Sequence, residues 1–102
     1  MNIDEIRISL KNSGIQPGDT LLIHGDSVVA AQLTEIPLER RLFILFKEII
    51  KYLGKNGTLV IPTFTYSLTK NELFDVNNTK SSIGLFSEYF RTMSGTIRSS
   101  HP

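Results

Sequence analysis

Polar residues and glycines that could bind a ligand follow two short apolar segments of the chain. Residues 24–28 read His-Gly-Asp-Ser-Val and follow the apolar segment 20–23. Residues 62–67 read Pro-Thr-Phe-Thr-Tyr-Ser and follow the apolar segment 59–61. Gly25 permits close backbone approach, and free backbone N–H groups beginning a following helix would suit a carbonyl, thioester or phosphate oxygen. Gly25-Asp26-Ser27 is also an ordinary turn sequence, which is the simpler interpretation, and both interpretations stay open.

Several single side chains near these segments have two interpretations each. His24 could be a core histidine bonded to a carbonyl, or it could face a ligand. Phe64 and Tyr66 could line a pocket, although packing is the simpler interpretation. Glu72 and Asp75 could attract a cationic substrate, or they could be solvated loop carboxylates.

Composition excludes several classes of chemistry. The 102 residues contain no cysteine, so disulfides and thiol catalysis are excluded, and two histidines cannot supply a three-histidine metal site. A net charge of +1, from 11 basic and 10 acidic residues, argues against a nucleic-acid binder. The chain lacks a phosphate-binding loop, a dinucleotide fingerprint and a nucleophile elbow. No apolar run reaches bilayer length, so we expect a cytoplasmic protein that does not bind a membrane. We expect no metal site, although a site that mixes carboxylates with histidine stays possible.

Helical periodicity and turn residues predict the elements that position these side chains. Asn2 is typical of a cap for a first helix that stops at Gly14. A second helix begins after Pro37 and ends at Gly54, and its wide apolar stripe indicates cover on more than one side. A third helix carries Leu85, Tyr89, Phe90 and Met93, with Ser82 as its expected cap and Gly95 as its stop. Thr96-Ile97-Arg98 could begin another strand.

The two apolar segments and the helix between them predict a βαβ unit with parallel strands and a right-handed crossover. Residues 20–23 do not alternate in polarity, which favours a strand buried on both faces. Parallel pairing would place residues 24–28 and 62–67 at the same sheet edge, where α/β proteins bind ligands. The predicted fold class is α/β: a three-layer α/β/α arrangement with a partly parallel sheet.

Four blocks in order along the chain resemble the N-terminal part of the aminoglycoside 3-N-acetyltransferase family. Any one block is weak, but together they span nearly the whole chain. The blocks are Gly14 to Ser27 (GIQPGDTLLIHGDS), Gly57 to Ser67 (GTLVIPTFTYS), Phe74-Asp75-Val76 with Thr79 to Gly84, Glu88 and Arg91, and Arg98-Ser99-Ser100-His101-Pro102.

The resemblance implies an acetyl-coenzyme A-dependent N-acetyltransferase of mixed α/β fold. It implies that a first group of residues holds the coenzyme: His24, Gly25, Asp26, Ser27, Val28, Arg98, Ser99 and His101. A second group would lie near the amine acceptor: Thr65, Tyr66 and Asp75. Arg98 could pair with a phosphate, or it could form a structural salt bridge.

Two departures from the family pattern qualify this expectation. Family members typically carry His-Ser-Ser after the first strand, whereas this chain has His24-Gly25-Asp26-Ser27. The acceptor is therefore open between an aminoglycoside antibiotic and an amino-sugar of surface-polysaccharide synthesis. Family enzymes are also more than twice as long, and their general base pair lies beyond the position of Pro102. We therefore expect residues 1–102 to be an incomplete N-terminal portion of a larger domain, inactive alone.

Two other function classes fit parts of the pattern. A small non-catalytic α/β module could act through a partner surface, with self-association or a second chain completing its sheet. A nucleotide-binding domain shares the strand-end site but lacks a phosphate-loop motif. In either case, a chain this short offers little to cover the second helix, so we expect exposed apolar surface.

Overall fold

The computed structural model describes residues 2–25, 27–67 and 70–100, and of residues 27–29 it describes the backbone alone. Three α-helices and two strands alternate along these ranges, together with two short 3-10 helices. In chain order they are α1 (Ile3–Asn12), β1 (Thr20–Leu22), a 3-10 helix (Ser27–Gln32), a 3-10 helix (Leu38–Arg40), α2 (Arg41–Leu53), β2 (Thr58–Val60) and α3 (Leu85–Thr92).

The ends of α1 and α2 follow the local signals in the sequence. The Asn2 side chain accepts a hydrogen bond of 2.9 Å from the Glu5 N–H, which confirms the predicted cap. Pro37 begins the short 3-10 helix, so α2 proper starts later, at Arg41. Gly54 ends α2 in a left-handed conformation with φ 75°, which glycine adopts without steric cost.

The two strands pair in parallel, which confirms the predicted βαβ connection through α2. Thr20 pairs with Thr58 and Leu22 pairs with Val60. The Ile23 N–H also donates to the Val60 carbonyl at 3.0 Å, which extends the ladder by one bond.

The prediction that the first strand is buried on both faces is wrong. Leu22 is 64% exposed and Val60 is 38% exposed, whereas Leu59 packs into the core. The described helices pack on the face that carries Leu59, and the opposite face keeps its apolar side chains in solvent. The apolar residues of the strands are therefore covered by the described helices on one face of the sheet and not on the other.

Helix α2 lies between two clusters of buried side chains, which confirms its predicted cover on more than one side. In one cluster the Phe46 ring lies 4.8 Å from the Phe86 ring and 5.1 Å from the Phe90 ring. In the other, Ile6 of α1 packs with Leu33 and Ile36. Helix α1 therefore packs against α2.

Two predicted features near α3 are wrong. Residues 96–98 form no strand, because the Thr96 N–H closes a turn onto the Met93 carbonyl and Ile97 is 94% exposed. Ser82 does not cap α3, since Gly84 holds the cap position without a side-chain bond. In the parts of the chain that are described, no helix is long and apolar enough to cross a membrane.

Candidate functional site

The segments that follow β1 and β2 leave the sheet at the same edge, as parallel pairing predicts. The hydrogen bond from the Ile23 N–H to the Val60 carbonyl holds the two strands side by side where they end. His24 and Pro62 follow shortly after that point. His24 is exposed beyond the end of β1. The first residues of the predicted coenzyme segment and of the predicted acceptor segment therefore lie at the same end of the sheet.

The close approach that Gly25 permits is to a side chain of this protein. A Cβ atom built on Gly25 would lie 3.3 Å from two ring atoms of Phe86. The backbone of Ser27 then begins a 3-10 helix, in keeping with the short helix expected there. Asp26 and His101 lie outside the described residues, as do the side chains of Ser27 and Val28.

After β2 the chain forms a tight turn around two buried hydroxyl groups; residues 63–67 are called the first loop below. The Oγ1 atom of Thr65 and the Oγ atom of Ser67 are 2.5 Å apart, and the Ser67 N–H donates to Thr65 Oγ1 at 3.1 Å. Both residues are buried. The Thr65 hydroxyl thus organises this turn rather than facing solvent.

The turn presents two aromatic rings at the surface. Tyr66 is 51% exposed and its φ is 58°, a left-handed conformation that is unusual for a bulky residue. Its ring centroid lies 6.2 Å from that of Phe64, which is also exposed. Holding a tyrosine in this backbone region costs on the order of 1 kcal/mol or more, so the surrounding bonds must fix it.

Asp75 organises a second turn; residues 74–82 are called the second loop. Its carboxylate accepts hydrogen bonds from the Asn77 N–H and the Asn78 side-chain amide, both at 2.9 Å. Its own N–H donates to the Thr79 hydroxyl at 2.7 Å. These hydrogen bonds, of which that from the Asn78 amide has the larger effect and that from the Asn77 N–H the smaller, hold the pKa of the exposed Asp75 carboxyl below its ordinary value. The group is therefore ionised at neutral pH.

Ser82 joins the two loops. Its N–H donates to the Phe64 carbonyl at 2.8 Å, and its hydroxyl donates to the Thr65 carbonyl at 2.9 Å. These bonds lie directly beside Tyr66. They bring the loop of Thr65 and Tyr66 against the loop that carries Asp75.

An ion pair on α3 holds the second loop from the other side. Arg91 donates to both Glu88 carboxylate oxygens, at 2.8 and 2.7 Å, and also to the Asn77 carbonyl at 3.1 Å. Glu88 accepts in turn from the Ser81 N–H at 2.8 Å. The Arg91 hydrogen bonds lower the pKa of Glu88, and Glu88 raises the pKa of Arg91. Sequence reasoning noted both residues without assigning this role, although their i,i+3 spacing on a predicted helix was an available signal.

Arg98 bonds to backbone carbonyls among the described residues. One terminal nitrogen donates to the Thr63 carbonyl at 2.8 Å, and the other donates to the Thr79 carbonyl. The guanidinium carbon lies 4.9 Å from the centre of the Phe74 ring. Burial lowers the pKa of Arg98, and the nearby positive charge of Arg91 adds to that effect.

A cleft of about 380 Å³ runs along β2 and reaches the start of the first loop. One wall of the cleft consists of the seven consecutive residues from Thr58 to Phe64. Residues 96–99 line a further part of the cleft. Most of the lining is apolar, including Leu22 and Ile97, with the side chains of two arginines, Arg91 and Arg98. Ser99, from the predicted coenzyme group, lies at this border.

A model of the aminoglycoside 3-N-acetyltransferase family matches residues 37–102, more than half of the chain. The chain belongs to this family. No curated protein sequence matches closely enough to count as a relative. A crystal structure of a histidine-to-alanine variant of aminoglycoside acetyltransferase AAC(3)-IVa, in complex with apramycin, is similar over 100% of this chain. Its TM-score is 0.79 and its sequence identity is 28%.

The likeness covers 40% of that acetyltransferase's own chain. Within this aminoglycoside 3-N-acetyltransferase-like chain, the family match includes β2, both loops and α3. The structure brings Thr65, Tyr66 and the Asp75 loop together through Ser82. It does not connect His24 to them by any described hydrogen bond.

Proposed function

We propose that this protein is an acetyl-coenzyme A-dependent N-acetyltransferase whose acceptor is the amine of an aminoglycoside. The observation that carries the proposal is the likeness of the whole chain, at 28% identity, to an acetyltransferase solved with apramycin. The family match over residues 37–102 supports the same reaction class. A non-catalytic module is not favoured by either likeness.

In this reaction class the acceptor amine attacks the thioester carbonyl of the donor. An amide bond forms, the thioester bond breaks, and the coenzyme leaves as its thiol. The amine must lose a proton for this attack, so a general base is needed. The proposal assigns that base to polypeptide that follows Pro102, as the family resemblance implies.

The donor side of the proposal rests on the residues around the cleft. The extended pantetheine chain needs apolar walls and nearby polar backbone groups, and the edge of β2 offers both. The cleft volume suits only part of a coenzyme A molecule. Following the family resemblance, we assign the thioester end to residues 24–28, and we assign Ser99 to the cleft border.

The acceptor side rests on the surface that the first and second loops present together. Aminoglycosides carry several ammonium groups at neutral pH, and the ionised carboxylate of Asp75 attracts positive charge. The exposed rings of Phe64 and Tyr66 supply flat apolar surface on which a sugar ring or an ammonium group can rest. An amino-sugar of surface-polysaccharide synthesis carries fewer charges and would use this surface less fully.

The proposal includes a larger architecture than the described residues form. We assign residues 1–102 to the N-terminal portion of the acetyltransferase domain. Further polypeptide, from the same chain or a second one, would cover the sheet face that carries Leu22 and Val60. Cover on that face would complete a three-layer α/β/α arrangement. We place the reaction in the cytoplasm, where coenzyme A thioesters are made.

Calorimetry on the full-length gene product tests the binding of both donor and acceptor. We expect coenzyme A to bind, and apramycin to bind more tightly than a singly charged amino-sugar. A Tyr66→Ala variant should lose apramycin affinity by about tenfold while keeping coenzyme affinity. A Leu73→Ala variant, which changes another exposed loop residue, is the matched control. Absence of coenzyme A binding to the folded protein would overturn the proposal.

A further inference from the structure

Arg98 contacts both loops of the candidate acceptor surface at once. Its two terminal nitrogens donate to the carbonyl oxygens of Thr63 and Thr79, which lie 35 and 19 residues away in sequence. Thr63 begins the first loop, which follows β2 after residues 61 and 62. Thr79 belongs to the turn that Asp75 organises, because the Thr79 N–H donates to the Asp75 carbonyl at 2.9 Å.

The surroundings of Arg98 suit this bridging arrangement better than a phosphate contact. Each terminal nitrogen already gives one of its two N–H groups to a carbonyl, so a phosphate could bond only to the N–H groups that remain. The face of the guanidinium is covered by the Phe74 ring, and its buried Nε atom has no partner among the described residues. A planar guanidinium presents its donors on two separate nitrogens in fixed directions, whereas an ammonium group carries all its donors on one nitrogen and matches two separated carbonyls less well.

Loss of this bridge would free only part of the site. Ser82 bonds the first loop to the second independently, and the Glu88–Arg91 pair anchors residues 77 and 81 to α3. Without the Arg98 bridge, Thr63 and Thr79 would keep their neighbours in sequence but lose their fixed separation. Tyr66 and Asp75, which lie on either side of the bridge, would then vary in relative position.

We propose that Arg98 is a positioning residue, whose guanidinium fixes the first loop against the second and thereby sets the affinity for the amine acceptor. This role goes beyond the proposed function but rests on it for the acceptor. Arg98 then acts through the loops and contacts neither the acceptor nor the coenzyme phosphates.

Two substitutions test the role by kinetics. Arg98→Lys keeps the charge but carries its donors on one nitrogen, and Arg98→Met keeps much of the length but has no donor at all. Both should raise the acceptor KM by about tenfold, while the preference for coenzyme A over its 3′-dephospho form stays unchanged. The matched control is Arg7→Met, which removes an arginine whose ion pair with Glu48 joins α1 to α2. Circular dichroism checks that each variant folds. If Arg98→Met does not fold, the test rests on Arg98→Lys.

Amide hydrogen exchange tests the bridge without any need for activity. The amides of Thr79 and Ser82 should exchange about tenfold faster in both Arg98 variants, because their loops are less constrained. The amides in the middle of α1 should be unchanged. In Arg7→Met the loop amides should exchange as in the unmodified protein.

The alternative outcomes are distinct. A phosphate contact predicts that Arg98→Lys retains function and that Arg98→Met loses the preference for coenzyme A over its 3′-dephospho form; that result would overturn the proposal. Unchanged loop exchange in a folded Arg98 variant would also overturn it. If the unmodified protein transfers no acetyl group, the proposed function fails, and loop exchange alone decides whether the bridge exists.

Discussion

Gly57 lies where α2 has ended and β2 begins, and its backbone passes close to the last turn of the helix. A Cβ atom at this position would lie 2.5 Å from the Leu53 Cβ atom and 2.6 Å from the Leu53 carbonyl oxygen. The second of these contacts is with backbone, which cannot turn aside as a side chain can. The tight passage between α2 and β2 therefore requires a glycine.

Replacing Gly57 by alanine should destabilise the protein by about 1–3 kcal/mol, because the backbone must shift to remove the clash. The free energy of unfolding from urea denaturation measures the effect. Asn56→Ala, at the exposed preceding position, should change it by about 0.5 kcal/mol or less. Equal stabilities for the two variants would contradict this packing.

Phe46 is the centre of the aromatic cluster and is 0% exposed. Phe46→Ala should cost about 3–5 kcal/mol, since it removes contacts with the rings of Phe86 and Phe90 and leaves a cavity. Phe43→Ala on the same helix is the control, because Phe43 is 38% exposed. Thermal or urea unfolding should separate the two variants clearly. A loss of unfolding free energy for Phe46→Ala no larger than that for Phe43→Ala would contradict a core centred on Phe46.

At the scale of elements, α3 and the second loop depend on one another through the Glu88–Arg91 pair. Because the folded pKa of Glu88 is lowered, ionised Glu88 stabilises the folded state above its ordinary pKa of 4.5. That contribution is lost as the pH falls through the lower, folded pKa. Both groups keep contact with solvent, so we expect on the order of 1 kcal/mol or less after screening.

Glu88→Gln should therefore be less stable than the unmodified protein at pH 7, and the difference should shrink as the pH falls below about 4.5. Unfolding free energies measured from pH 7 to pH 3 give the two curves. Glu39→Gln, at an exposed position on the short 3-10 helix, should show no comparable pH-dependent gap. A gap for Glu88→Gln that grows towards acid would contradict the lowered pKa.

The elements also mark what the sequence predicts and what it cannot. The cap at Asn2, the end of α2 at Gly54 and the parallel pairing follow from local residues or short spacings. Cover of the sheet depends on what packs against it, so an apolar run alone gave the wrong expectation for Leu22. The bonds of Ser82 to residue 65 and of Arg98 to residue 63 join distant parts of the chain, and no local pattern predicts them.

At the scale of the whole molecule, the sheet exposes apolar side chains on one face and a cleft beside β2. We expect residues 1–102, expressed alone, to bind a dye that fluoresces on apolar surfaces. Leu22→Gln should reduce this fluorescence, because Leu22 lies both on the exposed face and in the cleft lining. Leu73→Gln, at an exposed loop position outside the cleft lining, should leave it nearly unchanged. Dye binding that is absent, or equally affected by both substitutions, would contradict the open face.

The central claim concerns the reaction, and acetyl transfer by the full-length gene product tests it most directly. The protein is incubated with acetyl-coenzyme A and apramycin, and both the released thiol and the mass of the aminoglycoside are followed. We predict one acetyl group gained by apramycin for each coenzyme A thiol released. Thiol release without an acetylated amine, or no transfer to any aminoglycoside or amino-sugar by the folded protein, would contradict the claim.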